Sequence, residues 1–583
     1  MGSENDSDES RPFLVPIDKD RLQDPTSDIA GFVASELEQQ EERLVDHEQE
    51  GYGALPSESG PENTQFSFYR TQLIMTSMYL GIFLAALDNT ILSTLLTHIA
   101  SEFDDLPRIS WIVTAYLLAS ATFQPLYGKI SDIFGRKPLL LFSNAAFGIG
   151  CLICGVSHNL WWLTLGRFVS GIGGGGLSSM ASITTSDIVP LRNRALYQGF
   201  CNFFFGLGTA CGGLVGGWFT EHAGGWRISF LAQVPACVFS CVLIISYLNL
   251  PQDRVRRQNG HWRKKLLRVD WTGSFTLVSF LFSFTLATSL GGKELPYGSL
   301  GFALLGAAIV MFGGLFAYVE LKITKDPILP IGFLRDRSIL GSSLANWFCT
   351  MGMLTTSFYL PVYFASVLGM GPTDVGKRSI PSFFSIAFGS LGVGYYMKRT
   401  GRYYKFLLAF CGVALVGQLQ INLITPSIAV WRQYTLLVVP GFGVSVLITV
   451  TLLAMIAAVP HEHQAATTSI SYAFRTTGCT LGISIGAAIF QKSLASLLND
   501  KVMRFASEGH SKEELMKIIR NASHSSEWVH ESAPEFVRAT LLECYHYACK
   551  STFKFCMACM VLASLSCSII KEYKLHTSMK RDN

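Results

Sequence analysis

Long apolar stretches separated by short basic turns recur along this chain, and no other feature constrains its fold as much. A bilayer core of about 30 Å is crossed by roughly 20 apolar residues in a helix. Fourteen segments meet that requirement, at about 72–96, 110–128, 138–157, 160–182, 197–219, 228–249, 271–290, 299–319, 339–363, 379–397, 404–424, 433–457, 467–490 and 553–570. Charged residues make up 15% of the 583 positions, against about 25% in soluble domains. Glycine (53) and phenylalanine (41) are abundant, as suits membrane helices whose small residues let backbones approach closely.

Charge fixes the expected orientation. The turns after segments 2, 4, 6, 8 and 10 carry 20 Lys+Arg, counting Lys405 at the very start of segment 11, and those after 1, 3, 5, 7, 9 and 11 carry 6. Positive turns stay cytosolic, so both termini are expected in the cytosol. Residues 491–552 then form one long non-cytosolic loop, amphipathic in places and bearing the sequon Asn521-Ala522-Ser523. Residues 1–65 hold 17 Asp+Glu against 4 Lys+Arg and no apolar period, which reads as a disordered acidic tail. It has no signal-peptide pattern, so the first apolar helix is expected to direct insertion. Most of the fourteen cysteines lie inside apolar segments and are expected to be small packing residues. Neither the C-x-x-C pairs nor His461-Glu462-His463 has the further ligands a metal site needs.

The chain also repeats itself. Gly128, Asp132, Gly135 and Arg136 after segment 2 are matched in spacing by Gly394, Lys398, Gly401 and Arg402 after segment 10. Each group is followed by a G-x-G motif, at Gly171 and Gly441, and then by a run of glycines one turn apart. The runs are Gly208, Gly212, Gly216 and Gly478, Gly482, Gly486. Segments 1–6 and 9–14 therefore read as two copies of one six-helix unit, with segments 7 and 8 inserted. Paired repeats place a substrate site at their interface and work by rocking one half against the other. The expected fold is an all-α polytopic membrane protein. It comprises an acidic tail (1–69), a six-helix bundle (70–250), a basic loop with two inserted helices and a linker (251–337), a second six-helix bundle (338–571) and a short cytosolic tail (572–583).

These motifs resemble the major facilitator superfamily, and within it the fourteen-helix drug:proton antiporter branch. "GKISDIFGRK" resembles its signature between helices 2 and 3, "LGRFVSGIGGG" its helix 4 signature, "GLGTACGGLVGG" its helix 5 antiporter signature and "LDNTILSTLL" its helix 1 signature. One departure stands out: Gly212-Gly213 replaces the usual Gly-Pro, which puts the proline-dependent kink and drug antiport in doubt. "WIVTAYLLAS" and "TTSDIVPLRNRALYQG" are most similar to fungal vacuolar basic amino acid transporters.

Asp88 is the one acid deep in a segment, and a charge in hydrocarbon is a functional hypothesis by default. It is expected to face a cavity or to pair with Arg167, itself inside segment 4. Together they are the candidate proton- and substrate-coupling pair; a structural Asp bonded to helix backbone is the alternative. Asn89, Tyr116 and Asn346 are candidate cavity residues. Gly128, Asp132, Gly135 and Arg136, with Asp187 as partner for Arg136, form a candidate latch on the cytosolic rim. Asp132 is placed to meet a helix N-terminus of the other half. Lys398 takes the Asp position in the second copy, so the latch is expected on one side only. Gly208, Gly212, Gly216 and Gly217 give a close-packing face.

No nucleotide-binding motif, hydrolytic triad or Cys/His cluster appears, so an enzyme is the least favoured class, and neither cofactor nor metal is expected. The resemblance implies a proton-coupled antiporter carrying cationic amino acids into the vacuole, acting as a monomer with protons, a small cationic substrate and lipid as partners, and no nucleic acid. Alternatives are a drug, toxin or siderophore exporter and a nutrient receptor. The stretch "ESRPFL" (Glu9–Leu14) partly resembles an acidic dileucine signal, consistent with the vacuolar membrane; the plasma membrane is the alternative.

Overall fold

The structure is a computed structural model that describes residues 68–103, 110–222, 225–248, 269–291, 295–296, 298–324, 327, 331–460, 463–508, 511–524 and 526–573. The acidic tail with Glu9–Leu14, most of the basic loop 251–268, His461-Glu462 and residues 574–583 lie outside them.

Helices account for nearly all of the described chain, because backbone polar groups in lipid must be satisfied within their own segment. The first six rods are α1 (Phe68–Phe103), α2 (Ser110–Phe123) with α3 (Leu126–Phe134), α4 (Arg136–Gly155), α5 (Leu160–Ile188), α6 (Leu191–His222), and α7 (Trp226–Leu231) with α8 (Gln233–Tyr247). The inserted pair is α9 (Trp271–Leu290) and α10 (Leu300–Tyr318), the latter prolonged by a π-turn to Ile323. The last six rods are α11 (Arg337–Ser366), α12 (Pro372–Thr400), α13 (Tyr404–Asn422), α14 (Val430–Thr435) with α15 (Val438–Ala457), α16 (Gln464–Val502) and α19 (Glu535–Ser568). Two short helices, α17 (Lys512–His524) and α18 (Ser526–Glu531), lie between the final two.

Among the described residues, nine rods are long and apolar enough to cross a membrane by length and composition alone. Rods that fall short include α5, which is rich in glycine, serine and threonine. In α5 the buried face is built from Ser170, Gly171, Gly173 to Gly176, Ser179, Ser182, Thr184 and Thr185. These small and hydroxyl-bearing residues lower its mean hydropathy.

Rod boundaries follow local chemistry. Asn159 caps α5 by accepting from the Trp162 amide (2.8 Å), and Asp336 caps α11 through the Ser338 (2.8 Å) and Ile339 (3.2 Å) amides. Pro125 ends α2 and starts α3. The repeat-equivalent glycines Gly135 (φ 101°) and Gly401 (φ 67°) take left-handed backbone at the turns into α4 and α13, where a Cβ would be strained.

The loop expected over 491–552 is largely helical instead. The rod α16 runs on to Val502, and α19 starts at Glu535. With α17 and α18 they form a cap whose core contains Leu498, Leu515, Ile518, Val529, Val537 and Leu541, continuous with Tyr363 and Phe364 of α11. Its charged outer face hides this packing from a hydropathy reading.

The two sets of six keep separate cores, with two exchanges. Ala465 of α16 belongs to the core around Ile74, Met78 and Ile183 of the first set. Ala195 of α6 belongs to the core around Val393, Leu447 and Val450 of the second.

Candidate functional site

Asp88 lies twenty residues into α1 and is completely buried; Arg167 of α5 is 1% exposed, and the two form an ion pair through Asp88 Oδ2 and Arg167 Nη1. Arg167 Nη2 reaches Asn89 Oδ1 at 3.5 Å, and its guanidinium stacks on the Tyr116 ring with 4.4 Å to the centroid. The expected pairing is present, and Asn89 and Tyr116 belong to the same cluster. Asp88 Oδ1 and Arg167 Nε have no hydrogen-bond partner. The carboxylate therefore has one occupied and one open oxygen.

The glycine run of α5 makes room for this arrangement. A Cβ at Gly174 would overlap the Tyr116 hydroxyl, and one at Gly171 would meet the Tyr116 backbone. Asn89 is exposed although its neighbour Asp88 is sealed, so the pair lies one residue from an accessible wall. Asn346 differs from expectation. It is fully buried, donating to Ser471 Oγ (3.2 Å) and accepting from Thr451 Oγ1 (3.2 Å), and so ties α11, α16 and α15 together inside the second bundle.

At the end carrying the basic turns, Arg136 joins Asp187 (Nε–Oδ2, 2.6 Å) and Asp132 (Nη1–Oδ1, 2.8 Å), and also donates to Ser131. The Arg136–Asp187 pairing is as expected. The cluster binds α3, α4 and α5 to each other within the first bundle. Other contacts join the bundles. Gly128 lies against the Ala465 carbonyl and Ser469 Oγ, and Gly394 against Ala195 and Leu196. Arg192 donates to the carbonyls of Lys398 (2.7 Å) and Arg399 (2.9 Å) at the C-terminal end of α12, where a cation is favoured. Arg194 donates to Gln464 Oε1 at 2.8 Å. The second repeat thus engages through backbone carbonyls where the first has a carboxylate.

Nearer the middle of the rods, Ser182 Oγ meets Tyr472 OH (2.6 Å), Thr476 donates to Gln124 Oε1 (2.6 Å), and Asn202 donates to Ser390 Oγ (3.0 Å) and Thr449 Oγ1 (3.1 Å). These bonds lie on the basic half of the rods, so the structure is shut at that end.

The glycine faces pack as the repeat implies. Gly208 and Gly212 of α6 leave no room for a Cβ against Phe83, Leu87 and Thr90 of α1, and Gly478 and Gly482 of α16 leave none against Trp347 and Met351 of α11. Gly216 is buried on the same helix as Gly208 and Gly212, and Gly217 follows it. Asn521 is half-buried on α17, and the adjacent Ala522 is covered by Tyr545, whose hydroxyl donates to its carbonyl. A glycan on Asn521 would have to be attached before α17 folds.

Sequence reading missed one intramembrane cation, Arg475 of α16, although the rule that singled out Arg167 applies to it equally. It also missed Arg192 and Arg194, whose partners are a helix end and an amide that no motif marks.

Comparison with known proteins agrees with this architecture. Residues 78–487 match the Major Facilitator Superfamily, and the chain belongs to that family. It is 35% identical to the multidrug resistance protein fnx1 of Schizosaccharomyces pombe, over 87% of this chain and 94% of that protein. It is 34% identical to the vacuolar membrane amino acid uptake transporter fnx2 of the same yeast (85% and 83% covered). It is 31% identical to the vacuolar basic amino acid transporter 4 of Saccharomyces cerevisiae (86% and 68% covered). The protein is thus a membrane transporter of this superfamily.

Proposed function

We propose that this transporter is a proton-coupled antiporter moving basic amino acids such as lysine, arginine or histidine from the cytosol into the vacuole. The observation that carries the reading is Asp88: a buried carboxylate held by Arg167 on one oxygen and unbonded on the other. A proton from an acidic lumen neutralises Asp88 and releases Arg167. Loss of that proton toward the cytosol restores the pair. A cationic substrate competes with both for one negative charge, and that competition is the minimal physics of exchange. On the charge bias of the turns the sealed end faces the cytosol, so Asp88 lies on the lumenal side of the seal.

The relatives named for vacuolar amino acid and basic amino acid transport support the substrate class and the membrane. The relative named for multidrug resistance favours a second reading, export of hydrophobic cations. Purified protein in liposomes with an acidic interior separates them. Uptake of labelled lysine, arginine or histidine that collapses with the pH gradient supports the first. Gradient-driven uptake of a lipophilic cation dye without any amino acid uptake rejects it.

A further inference from the structure

Arg475 stands about 17 Å along α16 from its start at Gln464, by the helical rise, and so lies inside the bilayer. It is half-buried. Its guanidinium stacks on Tyr472 with 4.9 Å to the ring centroid, and Nη2 reaches the Ile448 carbonyl at 3.5 Å. Nε has no hydrogen-bond partner, and no carboxylate among the described residues pairs with it. Tyr472 and Thr476, on neighbouring positions of the helix face, bond Ser182 and Gln124 of the other bundle. On the other flank, Ser471 bonds Asn346 of α11. Arg475 therefore sits between α11, α15 and the opposite bundle, at the level of these contacts.

The repeat sharpens the point. Arg475 lies three residues before Gly478; three residues before the equivalent Gly208 is Phe205. The fold does not require a cation at this position, and an intramembrane cation marks a substrate or ion path. The charge count then decides the substrate chemistry. Asp88 and Arg167 neutralise each other, and no carboxylate among the described residues neutralises Arg475. A simple organic cation would be repelled there. A guanidinium instead matches a carboxylate in planar, two-pronged geometry.

We propose that Arg475 binds the carboxylate of the substrate, so that the transporter selects amino acids over cations lacking a carboxylate. This rests on the amino acid reading above. The test is proteoliposome uptake of lysine and of cadaverine, its decarboxylated counterpart, by wild type, Arg475→Gln and Arg475→Lys. Wild type should take up lysine at least tenfold better than cadaverine. Arg475→Gln should raise the lysine KM at least tenfold and erase that preference, and Arg475→Lys should restore part of it. A merely structural role would lower the rates for both compounds together and leave their ratio intact, which overturns the inference. So does wild-type uptake of cadaverine matching that of lysine, although the transporter reading then stands. Absence of any lysine, arginine or histidine uptake by wild type overturns both. If Arg475→Gln does not fold, competition in wild type decides: lysine methyl ester, its carboxylate capped, should inhibit lysine uptake no better than cadaverine, and inhibition equal to that by lysine refutes the assignment.

Discussion

Ala195 and Ala465 have exchanged cores. Each is fully or almost fully buried in the hydrophobic core of the bundle to which it does not belong. Each lies thirteen residues before the first glycine of its own repeat's run, Gly208 or Gly478, so the two contacts are equivalent by symmetry. Each meets the other repeat's turn glycine, Gly394 or Gly128. Opening the basic end must pull both alanines out together.

Ala465→Leu should therefore weaken the closed state. Overpacking a tight contact costs typically 1–3 kcal/mol, which is about a five- to hundredfold shift toward the open form. A cysteine introduced at Ser182, buried within the seal, should react faster with a hydrophilic maleimide in the Leu background than in the Ser182→Cys chain alone. Unchanged reactivity would mean that the alanine contacts do not hold the seal.

Asp88→Asn should abolish proton-driven uptake of cations, with Asp88→Glu partly active. The structure adds a stability cost, because Arg167 is left buried without its partner, and breaking such a pair costs about 3–5 kcal/mol. The single variant should melt at lower temperature, and Asp88→Asn with Arg167→Gln should regain much of that loss while remaining uncoupled. Normal accumulation against a gradient by Asp88→Asn would remove this residue from the coupling step.

Within the latch, Asp187 should matter more than Asp132. Asp187 is 3% exposed and Asp132 22%, so water compensates Arg136 for the loss of the second and not of the first. Asp132→Asn should reduce transport without preventing insertion, and Asp187→Asn should also lower the melting temperature of the purified protein. Equal melting temperatures for the two variants would contradict this ranking.

The helical cap should behave as part of the folded body. Leu541 is fully buried in its core, and truncating a core leucine costs about 2–5 kcal/mol. Leu541→Ala should lower the melting temperature and raise protease sensitivity between Val502 and Glu535. A variant as resistant as wild type would show that the cap is peripheral to stability.

Much of this was legible in the chain. The all-helical architecture, the close-packing glycine faces and the Asp88–Arg167 and Arg136–Asp187 pairings follow from apolar length, glycine spacing and the cost of isolated charge. The cap was not legible, because its apolar positions are spread over amphipathic helices too polar to register as spans. Asn346 bonds Ser471 and Thr451 instead of joining the Asp88 cluster, because a polar side chain in a membrane helix can satisfy itself on neighbouring helices. The links made by Arg192 escaped notice because their acceptors are backbone carbonyls, which carry no sequence signature.

The inserted pair gives the molecule two unlike flanks. The helix α9 packs against Leu126 of α3 through Leu277 and Leu281, and Ser484 of α16 donates to its Thr288 carbonyl. It lies as a splint across the line where α3 and α16 meet. Where α6 meets α12 the joint includes Phe203 against Phe383 together with the Asn202–Ser390 bond, and Phe205, Phe384 and Phe388 nearby are exposed. A molecule dissolved in the bilayer that approaches sideways meets the inserted helices on the first flank and exposed aromatic rings on the second. Rocking of the halves therefore works on unlike edges: along the first it moves against the inserted helix, and along the second it breaks direct bonds between α6 and α12.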